Sequence, residues 1–129
     1  MKLKKLAKKQ IDEIMDYENF TQAVESLKAV EHCWLNKYDV EDRESILRDK
    51  CRSNLEDAAQ EVIERYKNDT PTFYDEDNCK FYEYYYNCGC VQVDARICDR
   101  TAIGKKPWFR INLTIYAMNT FMDGESFKI

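Results

Sequence analysis

Apolar residues recur at helical spacing through the first seventy positions of the chain and at alternating spacing beyond about position 80. Leu3, Leu6, Ala7, Gln10, Ile11, Ile14 and Met15 form one stripe with lysines opposite, which predicts a helix ending near Glu18. Asn19-Phe-Thr-Gln22 has capping-box spacing, a side-chain acceptor followed three residues later by Gln, and predicts a second helix. Its apolar set is Phe20, Ala23, Val24, Leu27, Val30, Trp34 and Leu35. A third stripe runs through Val40, Leu47, Cys51, Leu55, Ala58, Val62 and Tyr66, with Asp39 as its N-cap. Glu44 to Arg48 and Glu61 to Arg65 are acid-before-base pairs four residues apart, the favourable order on a helix. Ser53-Asn-Leu-Glu56 repeats the capping pattern inside this stripe, so residues 39–67 fit one long helix or two with a break near Arg52. Asn68-Asp-Thr-Pro71 ends the helical half, because proline cannot continue the ladder and biases Thr70 toward extended backbone.

In the second half the period falls to two. Val91, Val93, Ala95 and Ile97 alternate with Gln92, Asp94 and Arg96, the pattern of a half-buried strand. Phe81 to Tyr86 precedes it as a second strand, and Gly89 in Asn87-Cys-Gly-Cys90 supplies a residue suited to a hairpin turn. Phe109, Ile111, Leu113, Ile115 and Ala117 mark a third strand, and Asp123-Gly124 signals a hairpin that returns Glu125 to Ile129 as a short fourth. The expected architecture is a single α+β domain spanning 1–129: two to four helices in residues 1–70, packed on an antiparallel meander of three to four strands in residues 71–129.

Length supports that single core, since 129 residues can bury about two-thirds of the unfolded surface without disulfide staples. The net charge of −4 hides an asymmetry. Lys2, Lys4, Lys5, Lys8 and Lys9 place five cations in the first nine residues, which leaves 15 basic against 24 acidic residues in the remainder. An acidic body disfavours general duplex binding, whereas the lysine cluster forms a secondary basic surface suited to RNA, an anionic membrane surface or an acidic partner. No apolar run of seven or more follows the basic start, and no segment approaches the ~18 apolar residues of a membrane span. A cytoplasmic protein with reduced thiols is expected.

Four of the six cysteines, Cys79, Cys88, Cys90 and Cys98, fall within twenty residues and are the candidate metal ligands. With Cys88-Gly89 as a two-residue turn, opposed residue numbers sum to 177: Tyr86 faces Val91, Tyr84 faces Val93, Tyr82 faces Ala95, and Lys80 faces Ile97. A slip by one would turn Glu83 onto the core face. This register sets Glu83 against Asp94 and Cys79 against Cys98, with Cys88 and Cys90 about 25 to 30 Å up the ladder. Sulfurs around one zinc lie only about 4 Å apart, and the spacing lacks the paired C-x2-C of zinc ribbons. No metal and no cofactor are therefore expected, and Cys33 and Cys51 read as core residues.

An enzyme is not expected either. His32 is the single histidine, no phosphate-binding or nucleophile motif occurs, and Asp75-Glu-Asp77 lacks the spacing of a calcium loop. The sheet face opposite the core is more distinctive, carrying Phe81, Tyr85, Arg96, Trp108, Arg110 and Tyr116. Aromatics interleaved with arginines suit a macromolecular partner. The expected function is thus non-catalytic, regulatory or inhibitory binding of a protein through this face. One alternative is a nucleic-acid binder using the lysine-rich first helix together with the aromatic and arginine face. Another is an acidic phage or mobile-element inhibitor of a nucleic-acid-processing complex, anti-CRISPR-like by analogy of size and charge only.

Overall fold

The computed structural model describes residues 2–115 and 118–121. Three helices precede a meander: α1 (Lys2–Tyr17), α2 (Phe20–Lys28), α3 (Arg43–Lys67), then β1 (Phe73–Tyr74), β2 (Lys80–Asn87), β3 (Val91–Asp99), β4 (Trp108–Ile115) and β5 (Met118–Phe121). The strands form one antiparallel sheet in the order β1-β2-β3-β4-β5. The α+β class and the meander agree with the sequence pattern, to which the structure adds the two-residue β1 at one edge and β5 at the other. Glu125 to Ile129, read as a returning strand, lie outside the described residues, as do Tyr116 and Ala117.

Asn19 caps α2 as its spacing predicts, its Oδ1 accepting from the Gln22 amide at 3.0 Å. This helix is shorter than its apolar set implies. It ends at Lys28, and Trp34–Lys37 form a separate 3-10 turn after His32 takes a positive φ of 65°. The Asn36 side chain holds that end by donating to the carbonyls of Leu27 (3.1 Å) and Val30 (3.2 Å). Residues 43–67 are one helix of 25 residues, about 37 Å long, and it runs through Ser53-Asn-Leu-Glu56 without a break. A 3-10 turn, Val40–Asp42, precedes it, and the Asp39 side chain makes no cap hydrogen bond there.

The core is the seam between these helices and one face of the sheet. Leu47, Cys51, Leu55, Ala58 and Val62 of α3 are fully buried, as are Ile97, Phe109, Ile111, Leu113 and Ile115. At roughly 1.5–3 kcal/mol for each large aliphatic or aromatic side chain, this seam is the main stabilising term. At the end of α3, Asp69 joins helix to sheet: its Oδ1 accepts from Lys80 Nζ and from the Tyr82 hydroxyl, both at 2.8 Å. Tyr82 also packs edge-on against Tyr66, with ring centroids 5.3 Å apart.

The first hairpin differs in register from the sequence-based expectation. Opposed numbers sum to 179: Tyr86 faces Val93, Tyr84 faces Ala95, Tyr82 faces Ile97, and Lys80 faces Asp99. Slipping by two residues leaves each side chain on its expected face, but changes every partner. Glu83 now faces Arg96 instead of Asp94, replacing a like-charge pair with an opposite one. The two-residue turn is Gly89-Cys90, closed by the Cys88 amide on the Val91 carbonyl at 2.9 Å. Gly89 has φ +88°, which a glycine at the first central position of a tight hairpin turn accommodates. Cys79 consequently does not face Cys98; Phe81 does.

One consequence of the new turn is covalent. Cys90 forms a disulfide with Cys33, their Cα atoms 6.0 Å apart and 57 residues apart in sequence. Cys33 is therefore a cross-link rather than a packed thiol, and the cytoplasmic expectation, which assumed reduced cysteines, gains nothing from this pair. Cross-linking a loop of this length restricts the unfolded chain by about 4 kcal/mol. Cys33→Ser is expected to lose that much stability in urea, and a thiol reductant should destabilise the parent chain while leaving the variant unchanged.

A second long-range link is polar. Gln10, fully buried on α1, accepts from the Ile111 amide at 2.6 Å and donates to the Phe109 carbonyl at 3.4 Å. Described β5 pairs with β4 only from Asn112 to Ile115, so the amide of Gln10 continues the ladder along the β4 edge. Gln10→Leu fills the space but leaves a buried donor and acceptor unpaired, an expected loss of about 2–3 kcal/mol. Hydrogen exchange at the Ile111 amide should accelerate in the same variant.

Candidate functional site

Among the described residues, the helices lie on one face of the sheet, and the other face is arranged in rows across the strands. Phe73, Phe81, Cys98 and Trp108 occupy directly opposed positions on β1 to β4, an apolar row about 14 Å across. Glu83, Arg96 and Arg110 form the next row, followed by Tyr85, Asp94 and Asn112. The face thus places an aromatic band beside a charged one.

Contacts within these rows set their geometry. Phe73 and Phe81 stack with centroids 4.6 Å apart and an interplanar angle of 5°. Arg96 lies over the Phe81 ring at 5.8 Å and meets Glu83 at 2.8 Å, an ion pair whose angles fall short of a hydrogen bond. Arg110 lies over Trp108 at 5.9 Å. Arg96 and Arg110 oppose each other directly, an unfavourable like-charge pair, and Glu83 offsets only the first. Arg110 Nε and Asn112 Oδ1 are shielded from solvent and have no hydrogen-bond partner among the described residues. Unpaired polar atoms shielded in this way are a local cost to the fold, on a face whose side chains are otherwise half-exposed.

Of the six residues singled out as a partner surface, Phe81, Tyr85, Arg96, Trp108 and Arg110 come together here, with Tyr85 the most open at 60% exposure. Tyr116 lies outside the described residues. Phe73 belongs to the face and was missed; its signal is the short Thr72-Phe-Tyr74 run between Pro71 and the acidic turn, a β-prone segment bounded by turn formers. Lys2, Lys4, Lys5, Lys8 and Lys9 are all exposed on α1, in the helical layer, whereas Arg96 and Arg110 project from the opposite side of the sheet.

The candidate metal ligands divide between the two ends of the hairpin. Cys88 precedes the turn and Cys90 lies in it, held in its disulfide, while Cys79 and Cys98 are buried near β1. Among the described residues no group of three His, Cys, Asp or Glu side chains gathers to hold a metal ion. Asp75 instead caps its own turn, accepting from the amides of Asp77 (2.9 Å) and Cys79 (3.0 Å). His32 is exposed, 3.2 Å from Glu31.

Burial suppresses thiol chemistry. Desolvation, followed by neighbouring Cys88 and Glu18, pushes Cys51 up to about 12. Cys98 is pushed up to about 11 by desolvation and then by Cys79. Cys79 itself is raised by desolvation and the nearby Asp75 and Asp77. These groups are protonated at neutral pH and make weak nucleophiles.

No protein family, no curated protein and no solved structure matches the chain.

Two outcomes follow from the thiols. At pH 8, iodoacetamide is expected to label half-exposed Cys88 in the native protein and to reach Cys51, Cys79 and Cys98 only on denaturation, as read by peptide mass spectrometry. Because the folded pKa of Cys51 and Cys98 lies above the ordinary value of 9.0, their contribution to stability is complete below about pH 8.5. It is lost as pH rises toward 11 and 12, since the unfolded thiols ionise first. Urea midpoints measured between pH 8 and 10.5 should fall in the parent chain and fall less in Cys98→Ala.

Proposed function

We propose that this chain is a non-catalytic binding protein, regulatory or inhibitory in role, that docks a protein partner on the open face of its sheet. The observation that carries this reading is the Arg110 guanidinium, set over Trp108 beside an aromatic row, with its Nε unpaired and no acid neutralising it among the described residues. A carboxylate of the partner would pair with the half-exposed Arg110 guanidinium and relieve the repulsion from Arg96, while an apolar side chain covers Phe73, Phe81 and Trp108. Aromatic and arginine anchors of this kind dominate interface energetics.

The charge on the face favours a protein over a nucleic acid. Glu83 and Asp94 balance Arg96 and Arg110, so a phosphate backbone would meet as many acids as bases. The lysines of α1 lie on the other side of the sheet, so the two basic groups do not form one continuous track for a strand.

The test is affinity capture from the source cell on the full chain, with nuclease treatment before elution. A stoichiometric protein is expected to remain bound, and Trp108→Ala or Arg110→Ala should each weaken it by at least 2 kcal/mol, about 30-fold. Release by nuclease, or retention on heparin that disappears with Arg96→Ala and Arg110→Ala, would transfer the function to nucleic acid.

A further inference from the structure

The open face of the sheet is charge-balanced and patterned so that it complements itself. Among the described residues it carries Glu83 and Asp94 against Arg96 and Arg110. A face that meets a strongly acidic or basic partner is best served by one sign of charge, whereas a face that meets its own copy has to carry both. The balance belongs to this face and not to the chain, whose net charge is −4.

Register decides which residues two copies would bring together. β2 and β4 are bonded to opposite edges of β3, about 4.8 Å to either side. A two-fold axis that lies between two copies and runs along β3 therefore sets β4 of each copy over β2 of the other, at the same level of the ladder. Phe81, Cys98 and Trp108 share one level, and Glu83, Arg96 and Arg110 share the next. Across this axis Arg110 meets Glu83 of the second copy, and Trp108 meets its Phe81. Each contact occurs twice, as in any isologous pair.

These contacts supply what the single chain lacks. Arg110 opposes Arg96 and forms no ion pair among the described residues. Glu83 already holds Arg96 at 2.8 Å, but its side chain is 30% exposed and a carboxylate has acceptor sites for a second cation. Arg96, Asp94 and Cys98 lie on the axis and meet themselves. Glu83 and the Phe81 ring, 5.8 Å from its guanidinium, draw Arg96 off the axis toward β2. Packed sheets stand about 10 Å apart, so the short Asp94 side chains stay separated while the longer Glu83 and Arg110 reach each other.

Size sets the strength. The four-strand band is about 14 Å across and the eight residues of β2 are about 26 Å long, a flat footprint of roughly 400 Å² per copy. Side-chain relief enlarges this, but the total stays near the lower end for specific interfaces, where association is weak and reversible.

We infer that the chain forms a weak two-fold homodimer through this face, with Arg110 of each copy on Glu83 of the other, and that the dimer keeps the face closed until a partner displaces the second copy. The inference rests on the reading of this face as a docking surface and adds its regulation. Dimer and partner complex both use Phe81, Trp108 and Arg110, so they exclude each other. Chain concentration then sets how much open face is available.

The test is sedimentation equilibrium of the full chain from about 1 μM to 1 mM. A reversible monomer–dimer equilibrium within that range is expected. Glu83→Arg and Arg110→Glu should each weaken it at least tenfold, as like charges then face each other across the axis. The double variant Glu83→Arg/Arg110→Glu exchanges the two charges and should return to within about threefold of the parent; an equimolar mixture of the two single variants should associate more tightly than either alone. Lys4→Glu, on the helical layer, should leave the equilibrium unchanged, and circular dichroism would verify the fold of each variant. A monomer at every concentration, a dimer indifferent to the single substitutions, or single variants that neither the double variant nor the mixture rescues would overturn the inference. A monomer that still captures a protein through Trp108 overturns the dimer alone, whereas a dimer rescued by charge exchange with no captured protein overturns the partner reading and leaves the dimer standing.

Discussion

The contact between α3 and the odd-numbered positions of β3 and β4 is the constraint on which the rest of the structure depends. Leu47, Cys51, Leu55, Ala58 and Val62 on one side, and Val91, Ile97, Phe109, Ile111, Leu113 and Ile115 on the other, are fully buried. Side chains alternate along a strand, so covering one set necessarily leaves the other outward. Phe81, Glu83, Arg96, Trp108 and Arg110 face out because their neighbours face in. The same contact blocks a slip by one residue, which would bring Glu83, Asp94 and Arg96 into the core without partners.

The margins of that seam are closed by single side chains rather than by more structure. Gln10 continues the β4 edge, and Thr72 continues β1 along β2, its Oγ1 accepting from the Glu83 amide at 3.0 Å. Asp69 joins the end of α3 to Lys80 and Tyr82, and the Cys33–Cys90 disulfide fastens the far end of the hairpin to the loop after α2. Gly89 sits against Trp34 there, its missing Cβ about one contact distance, 3.6 Å, from the indole. Exposed sheet edges invite pairing with other chains, and these ties limit how much edge is left open.

The two layers of the fold then present different surfaces. The sheet face is flat and charge-balanced, with aromatic rings that lose little entropy on contact. On the helical layer the outward side of α1 carries Lys2, Lys4, Lys5, Lys8 and Lys9, all exposed. The α1 lysines and the aromatic rings thus lie on opposite sides of the sheet.

Period alone placed the helices, β2, β3 and β4 and the outward set of residues on them, because burial acts on each position locally and 3.6-fold and twofold patterns are distinct. The register was harder. Sums of 177 and 179 bury the same side chains and differ only in cross-strand partners, so hydrophobic patterning could not separate them. The charge pattern carried the missing signal, since only the second sets Glu83 against Arg96. The disulfide and the Gln10 bonds had no local signature at all. Cys33 meets Cys90 across 57 residues, and Gln10 reaches Ile111 across 101, separations at which only the packed chain decides which groups meet. The sequence therefore determined which residues are inside and which are out, a one-body property of each side chain. Which outward residues become neighbours, and so whether Arg110 stands over Trp108 beside an aromatic row, is a many-body property that the tertiary structure alone decided.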